Sequence, residues 1–254
     1  MDVLAIDVGN SDVVLGLWGK GQTIPKTMRM NTLSIVENPN AFLELLSLVH
    51  EKWGPSDSVR LVMSSVVPMA TKPILQYLNQ FFNTSVKFLD QSQYHKLPLT
   101  ILKPDEIGTD LVANALAAHS MYHTDSIIVD FGTAMSFTTI DKTGKIIGVS
   151  IAPGLYTAVR ALTSNAAQLS DVQLHMPSSA LGQNTEHAIQ SGIMFGYDGL
   201  VRGIISAQEK ELNLRLNVVA TGGLSALIHT LSDRVDDYQP HLTLEGLRLA
   251  ESLI

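Results

Sequence analysis

The sequence predicts an α/β protein built from two duplicated halves, and three observations predict it. Residues 5–16 (AIDVGNSDVVLG) run from an apolar stretch into an acid, then Gly and small polar residues, then a second apolar stretch. The same pattern returns at 126–140 (SIIVDFGTAMSFTTI), so that Asp7 and Asp130 stand about half the chain apart. Each half also carries a later apolar strand that runs into a turn or small residues, VRLVMSSVV at 59–67 and NVVATGGL at 217–224. Strand and helix signals that alternate behind a repeated opening motif mark an internal duplication. The expected division is 1–117 and 118–254.

Taken in order, VLAI (3–6) reads as a buried strand, DVGNSD as a turn and VVLGLW (13–18) as the returning strand. Residues 39–53 place Phe42, Leu45, Leu46, Val49 and Trp53 at helical spacing. The strand at 59–67 is closed by Pro68, and 72–82 follows as an amphipathic helix through Ile74, Leu75, Leu78 and Phe82. Residues 104–122 open on Pro-Asp-Glu and run into an alanine-rich helix. In 184–212, Asn184 is suited to cap a helix and Glu186 to sit in its first turn, where the helix dipole favours an anion. Gly192, Gly196, Gly199 and Gly203 fall in that helix at two GxxxG spacings. Each glycine costs about 1 kcal/mol of helix propensity relative to alanine. Close approach of another backbone would offset this, either across a dimer or where two helices cross within the chain. Residues 217–224 end as a strand entering a further helix.

Composition narrows the function. Hydrophobic residues make up 45% of the 254 and charged residues 16%, as expected of a globular chain with a sizeable core. The net charge of −7 and the lack of a basic cluster argue against nucleic acid or an anionic membrane as partner. There is no cysteine, which excludes a thiol nucleophile, a cysteine zinc site and disulfides. His95, His119, His175 and His187 lack zinc-binding spacing. No apolar run is long enough to span a bilayer, and MDVLAIDVGN lacks the basic start of a signal peptide. A soluble cytoplasmic protein is expected.

The chemistry gathers at the Asp-x-Gly hairpins. A carboxylate at a strand tip beside glycine lets backbone N–H groups face a phosphate while the acid faces a cation. A single copy is more often a plain hairpin turn with a solvent-facing acid. Two copies, followed by ATGG at 220–223, favour a nucleotide clamp over a plain turn. Neither GxxxxGK[ST] nor GxGxxG is present.

In order, DVGNSD, DFGTA and ATGGL resemble the phosphate-1, phosphate-2 and adenosine elements of the actin/sugar-kinase superfamily. More narrowly, the chain resembles the type III pantothenate kinases. The shared pieces are DVGN (7–10), SSVVP (64–68), EIGTDLVANALAAH (106–119), DFGTA (130–134), IAPGL (151–155), GQNT (182–185), AIQSGIMFGYDGLVRGII (188–205), ATGGL (220–224) and TLEGLRL (243–249). The resemblance implies two ribonuclease-H-like, actin-like ATPase domains with the active site in the cleft between them. It also implies ATP-dependent phosphorylation of pantothenate, the first step of coenzyme A biosynthesis, in a homodimer. Asp7, Val8, Gly9, Asn10, Ser11, Asp12, Val13, Val14 and Thr133 would then bind ATP, with Asp7 near Mg²⁺. Asp130 would hold a monovalent cation, K⁺ or NH₄⁺. Asp110 would be the proton acceptor, and Ile101, Gly108, Thr109, Asp110, Leu111 and Thr185 would meet the substrate. Because Asp110 opens a helix, the dipole is expected to favour its anion and weaken it as a base.

The departures concentrate where the substrate's charge would be read. GTDL places Leu111 where the family has arginine, and Ile101 stands at a tyrosine position. Gln183 replaces a lysine, Val149 a glycine, Met135 a threonine, and Thr138 an aspartate. Ser11-Asp12 adds an acid beside the incoming phosphates. Leucine cannot supply the charge-assisted bond of an arginine to a carboxylate. Three readings remain: a pantothenate kinase with a rebuilt carboxylate site, using Arg160 or Lys103; a kinase for a neutral alcohol such as pantetheine; and a weakly catalytic nucleotide-binding homologue with a regulatory role.

Overall fold

The computed structural model describes residues 2–54, 59–163, 172–223 and 231–254. By contacts the chain forms two units. The first comprises Met1–Tyr122, Gly144–Ile146 and His241–Ile254, and the second His123–Thr143 and Ile147–Pro240. The sequence division at 117/118 assigns residues 241–254 to the second half, whereas their contacts lie in the first unit.

The first unit holds a five-stranded sheet of β1 (Val3–Val8), β2 (Asp12–Trp18), β3 (Lys26–Asn31), β4 (Arg60–Ser65) and β5 (Val86–Phe88), in the order β3-β2-β1-β4-β5. β1, β2 and β3 form an antiparallel meander, while β4 and β5 add to β1 in parallel. The central strand is buried on both faces, so β1 reads as a continuous apolar run until Asp7. Leu4, Ile6 and Val8 pack with Leu15 against Ile35, Phe42, Leu46, Ile74 and Leu78. Those residues come from α1 (Thr32–Glu37), α2 (Asn40–Trp53) and α3 (Pro68–Phe82). Val3, Ala5 and Val62, on the other face, pack with Val112, Leu116, Leu244 and Leu247 of α4 (Thr109–Tyr122) and α7 (Leu242–Glu251). A Cβ on Gly246 would collide with the Ala113 carbonyl oxygen, so glycine is what lets α7 lie this close to α4.

Pro68, expected only to close a strand, is the first residue of α3, where its missing N–H costs nothing. The strand itself ends at Ser65, short of the expected Val67, and the helix begins four residues before the expected Lys72.

The second unit repeats the design. Its sheet runs β10-β9-β6-β7-β8, with β6 (Ser126–Phe131), β7 (Ala134–Ile140), β8 (Ile146–Pro153), β9 (Asn217–Thr221) and β10 (Asp237–Tyr238). β6 and β7 form the antiparallel hairpin, and β9 joins β6 in parallel, as β4 joins β1. Ile127, Val129 and Phe137 pack with Val159 of α5 (Leu155–Thr163) and with Ile193, Tyr197, Val201 and Ile205 of α6 (Thr185–Leu212). Asn184 caps α6 as expected, its side chain accepting from the His187 N–H at 2.8 Å. The helix expected after ATGGL falls on residues that lie, through 230, outside the described ones. Cβ atoms at Gly192, Gly196, Gly199 and Gly203 would meet nothing within 4 Å, so among the described residues no second helix of the chain crosses this face.

Among the described residues, no helix is long and apolar enough to cross a membrane.

Candidate active site

In the first unit, Asp7 lies at the end of β1, paired with Val14 of β2 and Ser64 of β4. Ser64, fully buried, donates from Oγ to Asp7 Oδ1 at 3.0 Å. The turn that follows is tight, with the Gly9 N–H bonded to the Asp12 carbonyl at 3.0 Å. Asn10 is exposed at its tip, while Val8 and Val13 are buried beneath it. Thr32, at the start of α1, donates its hydroxyl to the Gly9 carbonyl at 2.7 Å and its N–H to the Ser11 carbonyl at 2.8 Å. The added acid Asp12 is paired, since Arg29 Nη1 lies 3.3 Å from its Oδ2. The expected nucleotide residues Asp7 to Val14 thus form one buttressed hairpin, and its backbone and acids suit a cation-bound phosphate.

Asp110 sits in the first turn of α4, half-buried, and its Oδ1 accepts from the Leu111 N–H at 2.9 Å. Burial pushes its carboxyl above the ordinary carboxylate range, against a smaller downward pull from backbone hydrogen bonds. This corrects the sequence expectation that the helix start would hold Asp110 acidic: desolvation outweighs the N-terminal amides. Asp110 therefore holds a proton more tightly than a free carboxylate and is the stronger base.

Tyr94, in the short 3₁₀ turn Tyr94–Lys96, is buried in the core that also holds Val112 and Ala113, with Ile101, Ile107 and Val14 packed against it. Burial, and then the negative charges of Asp110 and Asp90, hold its phenol protonated. The sequence offered no sign of this neighbour, because Tyr94 and Asp110 approach only through the fold. Gly108 and Thr109 stand just ahead of Asp110, and Thr109 Oγ1 is buried with no hydrogen-bond partner in the structure. Leu111, at the arginine position, is turned into the protein at 9% exposure. Lys103, one of the two cations expected to replace that arginine, bonds both carboxylate oxygens of Glu106 at 2.9 Å. Arg160, the other, lies on α5 in the second unit.

In the second unit, Asp130 occupies in β6 the place of Asp7 in β1, and its sheet partner is Thr221 of β9. Gly222, at φ +93°, brings the ATGG backbone against it, and a Cβ there would fall 2.7 Å from Asp130 Oδ1. Two of the three sequence motifs are thereby joined. Thr133 is exposed in the hairpin turn, and its carbonyl accepts from the Gly154 N–H at 2.9 Å and from Thr157 Oγ1 at 2.7 Å. Thr185 is the first residue of α6 and is exposed. No group of three or more metal-ligating side chains occurs among the described residues. Asp7 and Asp130 each stand as single carboxylates backed by close-packed backbone, which fits an ion whose other ligands are phosphate, water or carbonyl oxygens.

Known proteins share this chain's sequence and fold. The profile of the family described as Type III pantothenate kinase matches residues 3–207. A type III pantothenate kinase of Treponema pallidum is 40% identical, covering 96% of this chain and 92% of its own length. That of Myxococcus xanthus is 33% identical over 97% of this chain and 96% of its own length. Among solved structures, the activator of the 2-hydroxyisocaproyl-CoA dehydratase from Clostridium difficile, with bound ADPNP, superposes at a TM-score of 0.52. It covers 100% of this chain and 94% of its own at 12% identity, a likeness of fold alone. The two sheets are thus those of the actin-like ATPase fold, and the chain belongs to the type III pantothenate kinase family.

Proposed function

We propose that this protein transfers the γ-phosphoryl group of ATP to the primary hydroxyl of pantothenate, the first step towards coenzyme A, in the cytoplasm. The observation that carries the reading is the repeated Asp-x-Gly hairpin, with Asp7 and Asp130 at equivalent places in two equivalent sheets. Phosphoryl transfer asks mainly for positioning and charge neutralisation, with a base to take the alcohol proton. The hairpin from Asp7 to Val14, with Thr133, binds the nucleotide. Asp110 orients the acceptor hydroxyl and takes its proton, a role that its raised proton affinity supports. Gly108, Thr109, Ile101, Leu111 and Thr185 are the residues assigned to the acceptor by their match to the family's motifs. Asp7 would hold Mg²⁺ against the phosphates and Asp130 a monovalent cation such as K⁺; when bound, these ions neutralise the charge of the transferring group. The uncovered glycine face of α6 supports packing against a second copy in a homodimer.

A second acceptor is favoured by one observation: the arginine position is held by an uncharged, buried Leu111, and Lys103 is engaged by Glu106. A neutral alcohol such as pantetheine needs no such cation. The test is ADP release from Mg-ATP and K⁺ with pantothenate or pantetheine. Turnover of pantothenate is expected. Turnover of pantetheine alone would replace the acceptor, and turnover of neither, with ATP still bound, would leave a nucleotide-binding homologue.

A further inference from the structure

Two threonines with no assigned role hold the two hairpins in the same manner. Thr32, 2% exposed, is the first residue of α1, and its hydroxyl and N–H occupy the carbonyls of Gly9 and Ser11 at 2.7 and 2.8 Å. The Gly9 N–H occupies the Asp12 carbonyl at 3.0 Å. In the second unit, Thr157 in the first turn of α5 donates its hydroxyl to the Thr133 carbonyl at 2.7 Å, joined by the Gly154 N–H at 2.9 Å. A Cβ on Gly154 would collide with the Gly132 carbonyl, so this contact has no slack. A carbonyl oxygen turned toward a triphosphate repels it, whereas one already accepting a hydrogen bond is both fixed in direction and partly neutralised. The latch comes each time from a helix outside the hairpin, so it acts on turn geometry without occupying the turn's outer surface.

We infer that Thr32 and Thr157 are positioning residues for ATP, latching the two phosphate hairpins through the carbonyls of Gly9, Ser11 and Thr133. The inference rests on the proposal that these hairpins bind ATP. Thr32→Val removes the hydroxyl at nearly constant volume, and Thr32→Ser keeps it. For Thr32→Val, the dissociation constant of Mg-ATP and the KM for ATP are expected to rise about 3- to 10-fold, the size of one neutral hydrogen bond. The KM for pantothenate is expected to stay unchanged, and Thr32→Ser to restore ATP binding. A loss of stability alone would lower active protein without separating the two KM values. Should Thr32→Val fail to fold, Thr157→Val, on an exposed side chain, carries the same expectation.

Asp7→Asn serves as the control on the underlying site. If Asp7→Asn weakens Mg-ATP binding and neither threonine variant does, the latch is wrong and the hairpin assignment stands. If Asp7→Asn also binds Mg-ATP as the unaltered protein does, the hairpin assignment falls and takes the latch with it. Failure of Thr32→Ser to restore binding would equally overturn the role of the hydroxyl.

Discussion

Ser64 Oγ donates to Asp7 Oδ1 across 3.0 Å, from the neighbouring strand and at the paired register position. The serine is fully buried, so its hydroxyl has no water to turn to, and the bond fixes the direction of a carboxylate at the strand tip. Ser64→Ala removes a hydrogen bond to a charged acceptor, a loss of about 1.5–3 kcal/mol. A fall in Tm and a drop in kcat/KM for ATP of roughly tenfold or more are expected, read by thermal melting and steady-state kinetics. Wild-type kinetics in a folded Ser64→Ala protein would show that Asp7 needs no such support.

Asp110 gives a pH signature with a definite sign. Burial pushes its carboxyl above the ordinary carboxylate range, and the base works only when deprotonated. Activity is therefore expected to fall, as pH drops, at a higher pH than an exposed aspartate would produce. Asp110→Asn is expected to lower kcat by about a hundredfold or more. The stability effect runs the other way. A carboxyl whose pKa is higher folded than unfolded is destabilising when ionised, and this cost sets in as pH rises above the unfolded pKa. Asp110→Asn should therefore raise Tm at neutral pH, with the gain vanishing below about pH 3.9. Melting curves across pH test it, and equal Tm values at neutral pH would count against the desolvation.

Arg29 offsets the acid that this sequence adds to its first hairpin. Asp12 and Arg29 lie 3.3 Å apart with side chains 34% and 55% exposed, so the pair is solvent-screened. Arg29→Ala leaves Asp12 uncompensated beside the phosphates and should raise the KM for ATP by roughly 2- to 5-fold, less so at high salt. Adding Asp12→Asn to Arg29→Ala should bring the KM back. A double variant no better than Arg29→Ala would mean that Arg29 acts on the nucleotide directly.

Leu111→Arg tests the missing carboxylate contact. The guanidinium is expected to lower the KM for pantothenate by about tenfold, the scale of a charge-assisted bond. It should leave pantetheine unaffected and lower Tm, because Leu111 is a buried side chain. An unchanged KM for pantothenate would separate that substitution from acceptor recognition.

Much of the scaffold was legible because its signals are local. Asp7 and Asp130 interrupt apolar runs at strand tips, and Asn184 stands where a cap belongs. The edge strand β3, KTMRMN, was not legible, since an edge strand needs no apolar face and its alternation is blurred by exposure. Within the site, the hairpin and the first turn of α4 could be located from residue pattern. Ser64, Thr32, Tyr94 and Thr157 could not be given roles, because their partners are brought near only by sheet pairing or helix packing. The proton affinity of Asp110 escaped for the same reason: a helix start is written in sequence, and burial is not.

The return of residues 241–254 to the first unit sets an order of events during synthesis. Leu244, Leu247 and Ala250 complete the core beneath α4, and Glu251, almost fully buried, meets Arg60 at 2.7 Å and Lys87 at 3.3 Å. Synthesis proceeds from the N-terminal side, yet this first unit lacks one of its covering helices until residues 242–251 emerge. The unit that begins first is thus closed last. Until then the apolar α4 face that Leu244, Leu247 and Ala250 cover stands open, and open apolar surface favours misassociation.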